Sequence, residues 1–436
     1  MILSIAPGVA FTAFGFAVYP VITIISMSLL VATGWLPVIV GRFKTAAHTP
    51  ETIKPLADAE LPTLSILLPL YKEANMLQQL ADMLNAIDYP SEKLDCLILL
   101  EAEDTPTAIA AMRIIWPDFA RILTVPKGAP QTKARACNYA LDYARGDLLV
   151  IFDAEDMPHP QQMRQAAETF AAADNTLACL QAPLRIYPRD GSWLQAQFAL
   201  EYRLLFSFIL PRLSAAMSCL PLGGSSNYFR RAALNRVGGW DDYNLTEDAD
   251  LALRLAGFGY RIGTLSLETL ENAPHKIGIW FNQRTRWQSG HIQLLHTYAA
   301  WALRQLRQNQ PTPKSAFKWR FTMLACVAVL AVRLFSGLLF IASALFYFVP
   351  SDIQFPPLLT CLNLGLSALF IAILLKYAPA NNWADRIGLV VTHPFYWAMT
   401  FLPHLYALWR MAFGRTGWLK SPHQPFIPNV LNAPIR

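Results

Sequence analysis

The first forty-one residues, Met1 to Gly41, contain no charged side chain. An uncharged run of that length suits a bilayer, where one helical crossing needs roughly 20 apolar residues. Pro7 and Pro20 interrupt it. One crossing over residues 19–41 is therefore expected, preceded by an interfacial or re-entrant piece. A signal peptide does not fit, because no basic residue precedes the apolar run and the run is too long. Arg42 and Lys44 follow directly and place that end in the cytoplasm. Long apolar stretches return after Arg320. They predict crossings over residues 321–349 and 357–375, joined by "PSDIQF", which has no Lys or Arg and suits the outer side. Arg333 lies inside the first of these, where a charge is functional or paired within a bundle. The last apolar piece, Ile387 to Trp409, has Lys376 and Arg386 before it and Arg410, Arg415 and Lys420 after it. Basic residues on both sides argue for an interfacial or re-entrant helix rather than a crossing.

This pattern divides the chain into four parts: an N-terminal membrane segment (1–44), a cytoplasmic domain (45–278), an interfacial helix (279–312), and a C-terminal membrane region with a cytoplasmic tail (313–436). The 54% hydrophobic and 15% charged composition, too apolar for an ordinary soluble chain, comes from the two ends. Part of the net charge of +6 lies beside membrane segments, so no nucleic-acid partner is implied. The six cysteines are scattered, with no CxxC pair. That spacing argues against zinc and against a disulfide framework, and it fits a reducing cytosol.

Between residues 45 and 278, short apolar runs alternate with helical patterns. "TLSILLPL", "DCLILLE", "RILTV" and "DLLVIF" read as strands, and "QTKARACNYALDYA" reads as a helix. Such alternation predicts an α/β domain with a mostly parallel sheet. The four strands end in "YKE", "EAED", "PKG" and "DAED". A single ionisable turn is a solvated loop, but four in succession mark the carboxyl edge where open α/β sheets bind ligands. No GxGxxG and no Walker A motif is present, so the dinucleotide and P-loop readings fall away.

In "DAED", Asp153, Glu155 and Asp156 crowd carboxylates at one place. Repulsion among them is costly unless solvent or a cation relieves it, and hard oxygen donors suit Mg²⁺ or Mn²⁺ shared with a substrate phosphate. Lys133, at the start of the preceding helix, adds positive charge at a helix N-terminus that already favours anions. An acidic turn and a solvated lysine would read the same way. In "NLTEDADLALRL", Thr246, Glu247 and Asp248 stand ahead of a helix. Capping and the helix dipole explain them, and so does a general base at a loop-to-helix junction. "NQRTRWQSGH" (282–291) then fits a solvated face, an interfacial belt, or a grip formed by Gln283, Arg286 and Trp287. Apolar Ile292, Leu295, Ala299, Ala302 and Leu306 continue it at helical spacing, which predicts an amphipathic interfacial helix.

"DAED", "TED" and "QRTRW", in this order between membrane segments, resemble the DxD, TED and QxxRW motifs of membrane-bound family 2 glycosyltransferases. That group includes cellulose, hyaluronan and poly-N-acetylglucosamine synthases. "PLYKE", "KARACNYA" and "GGSSNYFRR" add to the resemblance, which covers roughly residues 60–295. "GWLKSPH" is similar to an element of bacterial exopolysaccharide synthases of the phage adsorption protein B type. The resemblance implies a GT-A fold, a nucleotide-diphosphate sugar donor (a UDP-sugar is expected), Mg²⁺ or Mn²⁺, and inversion at the anomeric carbon. It puts Tyr71, Glu73 and Asp104 near the nucleoside and Asp153 and Glu155 at the metal. Asp248 becomes the base, with Glu247 beside it. Lys133 and Arg286 would meet the donor diphosphate, and Gln283 and Trp287 the acceptor. Lys420 and His423, with Trp418, would form a cytoplasmic lid over the nucleotide; a basic tail on anionic lipid is the alternative. Two departures stand out. Glu155 replaces the second DxD aspartate with Asp156 beside it, leaving open which one coordinates, and the uridine-side pair is Glu103–Asp104.

Three functions fit these features. The first is an enzyme elongating a polysaccharide at the bacterial inner membrane, with an export or regulatory partner protein. The second adds one sugar to a lipid acceptor. The third is a catalytically degenerate receptor or scaffold, against which the intact "TED" and "QRTRW" count.

Overall fold

The computed structural model describes residues 54–187, 191–217, 220–308 and 357–414, together with Gly41 and Pro425. The expected crossings over 19–41 and 321–349 and the "GWLKSPH" tail fall outside them, apart from Gly41 itself.

The strand–helix alternation forms as the sequence pattern requires. β1 (Leu64–Leu70), α1 (Leu77–Asn85), β2 (Leu94–Glu101), α2 (Thr105–Ala111), β3 (Ala120–Val125), α3 (Lys133–Leu141) and β4 (Leu148–Ile151) succeed one another. After β4 come β5 (Met157–Pro158), α4 (Gln162–Ala172), β6 (Leu177–Gln181) and β7 (Leu184–Tyr187). A long helical run follows: α5 (Trp193–Arg203), a π-helical stretch (Leu204–Ile209) and α6 (Leu210–Met217). β8 (Asn227–Arg230), α7 (Arg231–Arg236), α8 (Glu247–Gly257), β9 (Arg261–Thr264) and β10 (Thr269–Asn272) complete the α/β part. The C-terminal helices are α9 (Ile277–Gln308), α10 (Pro357–Tyr377), α11 (Trp383–Met399) and α12 (Phe401–Ala412).

Seven strands form one sheet in the order β3-β2-β1-β4-β8-β6-β9, and β5-β10-β7 form a second. The four strands read from the sequence run parallel. β8 runs antiparallel to both β4 and β6, so the sheet is mixed. Its centre is buried on both faces, and side chains alternate between them with period two. Ile66, Leu68, Ile98 and Val150 face one core with Leu80 and Met83 of α1 and Phe170 of α4. Leu67, Leu97, Leu99 and Leu149 face the other, with Cys137 of α3, Phe198 of α5 and Leu251 of α8. That second core continues into the C-terminal helices through Trp280, Phe370, Leu374, Tyr396 and Trp397.

Among the described residues no helix is long and apolar enough to cross a membrane. The crossing expected over 357–375 coincides with α10. The carboxyl half of α10 buries Phe370 and Leu374 against the α/β core, as does Ala378 just after it, instead of standing apart from it. The single helix expected over 387–409 is two helices, because α11 ends at Met399 and α12 starts at Phe401. Pro403 falls in the first turn of α12, where its missing N–H costs nothing. Trp383, Ile387, Val391 and Phe395 make an exposed apolar stripe at i, i+4 spacing along α11, and Leu402, Leu405, Trp409 and Phe413 extend it along α12.

Candidate functional site

The carboxyl ends of β1, β2 and β4 lie side by side and bring their polar turns together. β1 leaves through Lys72, whose φ of 57° is left-handed. Its backbone N–H donates to Asp104 Oδ2. The other Asp104 oxygen accepts from Thr107 N at 3.4 Å, capping α2, and Glu73 N donates to Thr107 Oγ1 at 3.2 Å. Asp104 therefore ties two strand ends into one rim, with Glu73 buried beside it. Tyr71 stands on that rim, and the Lys72 ammonium lies 4.9 Å from its ring centre.

Lys133 occupies the centre of the site. It opens α3, pairs with Asp153 Oδ1, and donates to the Gly224 carbonyl at 2.5 Å. Burial works against its charge, but the nearby carboxylates, Asp153 and Glu247 first among them, outweigh burial and hold its proton. The lysine thus links "DAED" to "TED" across the loop that leads into β8. Within "DAED", Asp153 N donates to Asp156 Oδ2 at 2.8 Å, which closes the turn. Asp156 is wholly buried, and burial raises its pKa well above the carboxylate range, helped by the charges of Asp153 and Glu155. Asp156 braces the turn, whereas the Asp153 side chain is 34% exposed and faces outward.

A fourth carboxylate, unforeseen from the sequence, belongs here. Glu271 on β10 is buried, and its pKa is raised well above the usual value by burial and by Glu155, Asp156 and Asp153. Among the described residues no three His, Cys, Asp or Glu side chains lie close enough to hold a metal ion by themselves. The donor set still suits Mg²⁺ or Mn²⁺, which bind through one or two carboxylates together with substrate phosphates. The excess negative charge and the unpartnered buried oxygens Asp156 Oδ1 and Glu271 Oε2 are what such an ion would relieve.

Capping does not account for "TED". Thr246 holds the N-cap position of α8, yet its side chain makes no capping hydrogen bond. Asp248 Oδ1 accepts from its neighbour Ala249 N at 2.8 Å. Burial and the adjacent Asp248 push Glu247 up to about 7, against the pull of Lys133. Burial also raises Asp248, opposed by the Ala249 N–H, Lys133 and Arg286. Lys133 and Arg286 thus address these acids from two helices. Lys133, Cys137, Gly224, Trp240, Glu247 and Asp248 line a small cavity beneath them.

α9 delivers the third motif. Gln283, Arg286, Trp287 and Gly290 share one face at i, i+3, i+4 and i+7. A Cβ on Gly290 would lie 2.5 Å from Thr246 Cγ2, so this glycine lets α9 rest directly on "TED". Arg284 is two residues from Arg286 and points elsewhere. It is 2% exposed and grips both oxygens of Glu201 on α5, with Nη1–Oε1 at 2.7 Å. Tyr396 of α11 accepts from Arg284 Nη2 at 2.9 Å and donates to Glu201 Oε2 at 2.8 Å. The guanidinium also lies 4.9 Å from the Trp287 ring centre, while Phe198 and Tyr202 flank the same indole at 6.3 and 6.4 Å. Arg284 and Glu201 went unread in the sequence. The signal was available, since two arginines at i, i+2 cannot face one ligand.

A second polar chain joins α5 to α11. Gln197 Nε2 donates to Leu389 O at 2.8 Å and Thr392 Oγ1 at 2.9 Å, and Trp193 Nε1 donates to Thr392 Oγ1 at 2.8 Å. Trp397 donates to His393 Nε2, so His393 Nδ1 carries the proton toward Gln197 Oε1, 2.8 Å away. Burial lowers the pKa of His393 to about 4 and keeps it neutral. Of the expected site residues, Lys420 and His423 lie outside the described residues. The structure places Lys133, Asp153, Glu247, Asp248 and Arg286 in one electrostatic group, with Glu155 bordering it. Tyr71, Glu73 and Asp104 form the adjoining rim, and Gln283 and Trp287 lie on α9.

A family model, "Glycosyl transferase family group 2", matches residues 148–412. A beta-monoglucosyldiacylglycerol synthase of Synechocystis sp. (strain ATCC 27184 / PCC 6803 / Kazusa) is 26% identical over 267 residues, covering 59% of this chain and 54% of the relative. A cellulose synthase 1 catalytic subunit (UDP-forming) of Komagataeibacter xylinus is 29% identical over 261 residues, covering 56% of this chain and 34% of the relative. The matched region is thus about half or less of each relative's own length. Among solved structures, the mannosyltransferase PcManGT from Pyrobaculum calidifontis, in complex with GDP-Man and Mn²⁺, superposes with a TM-score of 0.57 at 20% identity. It covers 92% of this chain and 99% of its own, a likeness of fold. The α/β domain is of the GT-A type.

Proposed function

The chain belongs to glycosyl transferase family group 2 and is a glycosyltransferase, and we propose that it moves a sugar, with inversion, from a nucleotide-diphosphate donor to a growing glycan at a bacterial inner membrane. The observation that carries this reading is Lys133, whose ammonium joins Asp153 to the Glu247 and Asp248 pair. In this reading Asp248 takes the acceptor hydroxyl proton while that oxygen forms the new bond to the anomeric carbon. The bond from that carbon to the diphosphate breaks on the opposite side, and the nucleoside diphosphate leaves. Lys133 and Arg286 offset the charge that develops on it. Asp153 would hold a divalent ion, which when bound would supply Lewis-acid stabilisation of the same leaving group. Tyr71, Glu73 and Asp104 border the nucleoside, and Gln283 and Trp287 offer a hydrogen bond and an aromatic face to the acceptor.

The exposed apolar stripe of α11 and α12, with Arg386 and Arg410 beside it, supports a membrane-surface position, and Arg42 and Lys44 after the first apolar run support a catalytic domain on the cytoplasmic side. That stripe also favours the second reading, transfer of one sugar to a lipid acceptor, and relatives of both kinds match. Incubating the membrane-reconstituted protein with radiolabelled nucleotide sugars and Mn²⁺, then sizing the product, separates the two. A ladder of lengthening chains is expected, and a single glycolipid species would establish the second reading. Activity should stop reversibly in EDTA. Full activity in excess chelator would remove the metal from the mechanism. A cysteine placed at Ser421 should be shielded from impermeant reagents in intact cells, and labelling from outside would overturn the topology and the lid.

A further inference from the structure

β10 carries Glu271 to the register position facing the end of "DAED". Thr269 pairs with Pro158 and Leu270 with Met157 in antiparallel register, so the next step opposes Glu271 to Asp156. On its other side Glu271 pairs with Ile186 of β7, which fixes the strand. The Glu271 side chain is 9% exposed, and its Oε2 has no hydrogen-bond partner among the described residues. Asp156, 0% exposed and immediately before β5, offers a second unpartnered oxygen, Oδ1. Buried carboxylate oxygens are normally satisfied. Lys133 opposes this concentration of charge, but its ammonium is already committed to Asp153 and the Gly224 carbonyl. No arrangement of side chains alone closes the site, because no three potential ligands converge among the described residues.

We propose that Glu271, at the end of "DAED", helps to retain the divalent cation, accepting hydrogen bonds from the waters that a small hard cation keeps. Mg²⁺ and Mn²⁺ at diphosphate sites bind through few carboxylates and hold part of their hydration shell. A buried acceptor one layer out fixes those waters, and loss of such an outer partner typically weakens metal affinity by about 10–100-fold. Glu271 is therefore a positioning residue. The inference rests on the proposed function, which supplies the diphosphate that shares the cation.

The test is Mn²⁺ binding, followed by electron paramagnetic resonance, to the full chain with saturating UDP or GDP, for the unaltered protein and for Glu271→Gln. The substitution keeps shape and removes charge. It should weaken Mn²⁺ binding by roughly 10–100-fold, with a melting temperature in EDTA equal to or above that of the unaltered protein. Equal Mn²⁺ affinity in the two proteins would overturn the role of Glu271 and leave the proposed function standing. Failure of the unaltered protein to bind Mn²⁺ with either nucleotide would overturn both. Should Glu271→Gln not fold, Glu271→Asp carries the same test, because pulling the carboxylate back by one methylene should still weaken binding severalfold. Unchanged affinity there would likewise overturn the role.

Discussion

Two regions of this molecule bury polar groups, and they do so in opposite ways. At the strand ends, Asp153, Glu247, Asp248 and Glu271 act on one ammonium, Asp156 is buried beside Asp153, and two oxygens, Asp156 Oδ1 and Glu271 Oε2, lack partners. Between α5, α9 and α11, the charged pair Arg284–Glu201 is joined by Tyr396, and His393 is held between Gln197 and Trp397. The first region leaves part of its bonding capacity to a ligand. The second leaves the Arg284 Nε donor unpartnered, but its buried charges are matched, guanidinium to carboxylate, and the pair helps to orient α9, which carries Gln283, Arg286 and Trp287. Substitutions at the strand ends should therefore cost activity and spare stability, and those in the helical layer should do the reverse.

The largest effect is expected at Asp248. Asp248→Asn keeps the shape and removes the base, so turnover should fall by about 10²–10⁴-fold. Donor binding should survive, and the melting temperature should hold or rise, because an amide is cheaper to bury than a carboxylate. Near-normal turnover would show that the proton goes elsewhere.

The mirror case is Arg284→Met. It strands Glu201 in a buried site, which typically costs about 3–5 kcal/mol. Chemical denaturation would measure this. Replacing both partners, Arg284→Met with Glu201→Met, should return most of the stability, since apolar pairs often substitute for buried ion pairs. If the double variant is as unstable as the single one, the pair is not the self-contained unit described above.

How much of this was legible beforehand follows the same divide. The four parallel strands and their ionisable turns showed in the sequence because burial on both faces writes continuous apolar runs such as "DCLILLE", and chemistry writes short polar motifs after them. β8 did not show as the strand that makes the sheet mixed, since antiparallel pairing depends on a partner far away in sequence. Glu271 did not show because an acid in a four-residue strand looks solvent-facing until β5 pairs with it. His393 showed only as a polar residue in an apolar piece, as its partner Gln197 lies 196 residues away.

Stability against pH should separate the regions by sign. His393 has a folded pKa of about 4, below its ordinary 6.5. Between these values the unfolded chain binds more protons. Its contribution is therefore complete above pH 6.5 and is lost as pH falls toward 4, an effect on the order of 3 kcal/mol. Glu247 is the reverse. Its folded pKa of about 7 exceeds the ordinary 4.5, so its contribution is present below pH 4.5 and lost as pH rises toward 7. Denaturation midpoints across pH 4–7 should change slope in opposite directions in His393→Gln and Glu247→Gln. Slopes that move the same way would break the comparison.

The smallest effect sits where the regions touch. Gly290 of α9 lies against Thr246, and a methyl there would come within 2.5 Å of Thr246 Cγ2, 2.7 Å of its Oγ1 and 2.8 Å of its backbone N. Contacts that close force movement. Overpacking of this kind typically costs about 1–3 kcal/mol. α9 is anchored through Arg284 on a neighbouring face, so the Thr246 turn is the side that gives way, and it carries Asp248. Gly290→Ala should thus lower kcat by more than its loss of stability alone would suggest, with KM for the donor little changed. Adding Thr246→Ser removes the closest contact, Cγ2, but not the backbone clash, and should recover part of the rate. A double-mutant cycle measures that coupling directly. Strict additivity would mean that α9 and the "TED" turn do not press on each other, and that the helical layer orients its own motif without positioning the base.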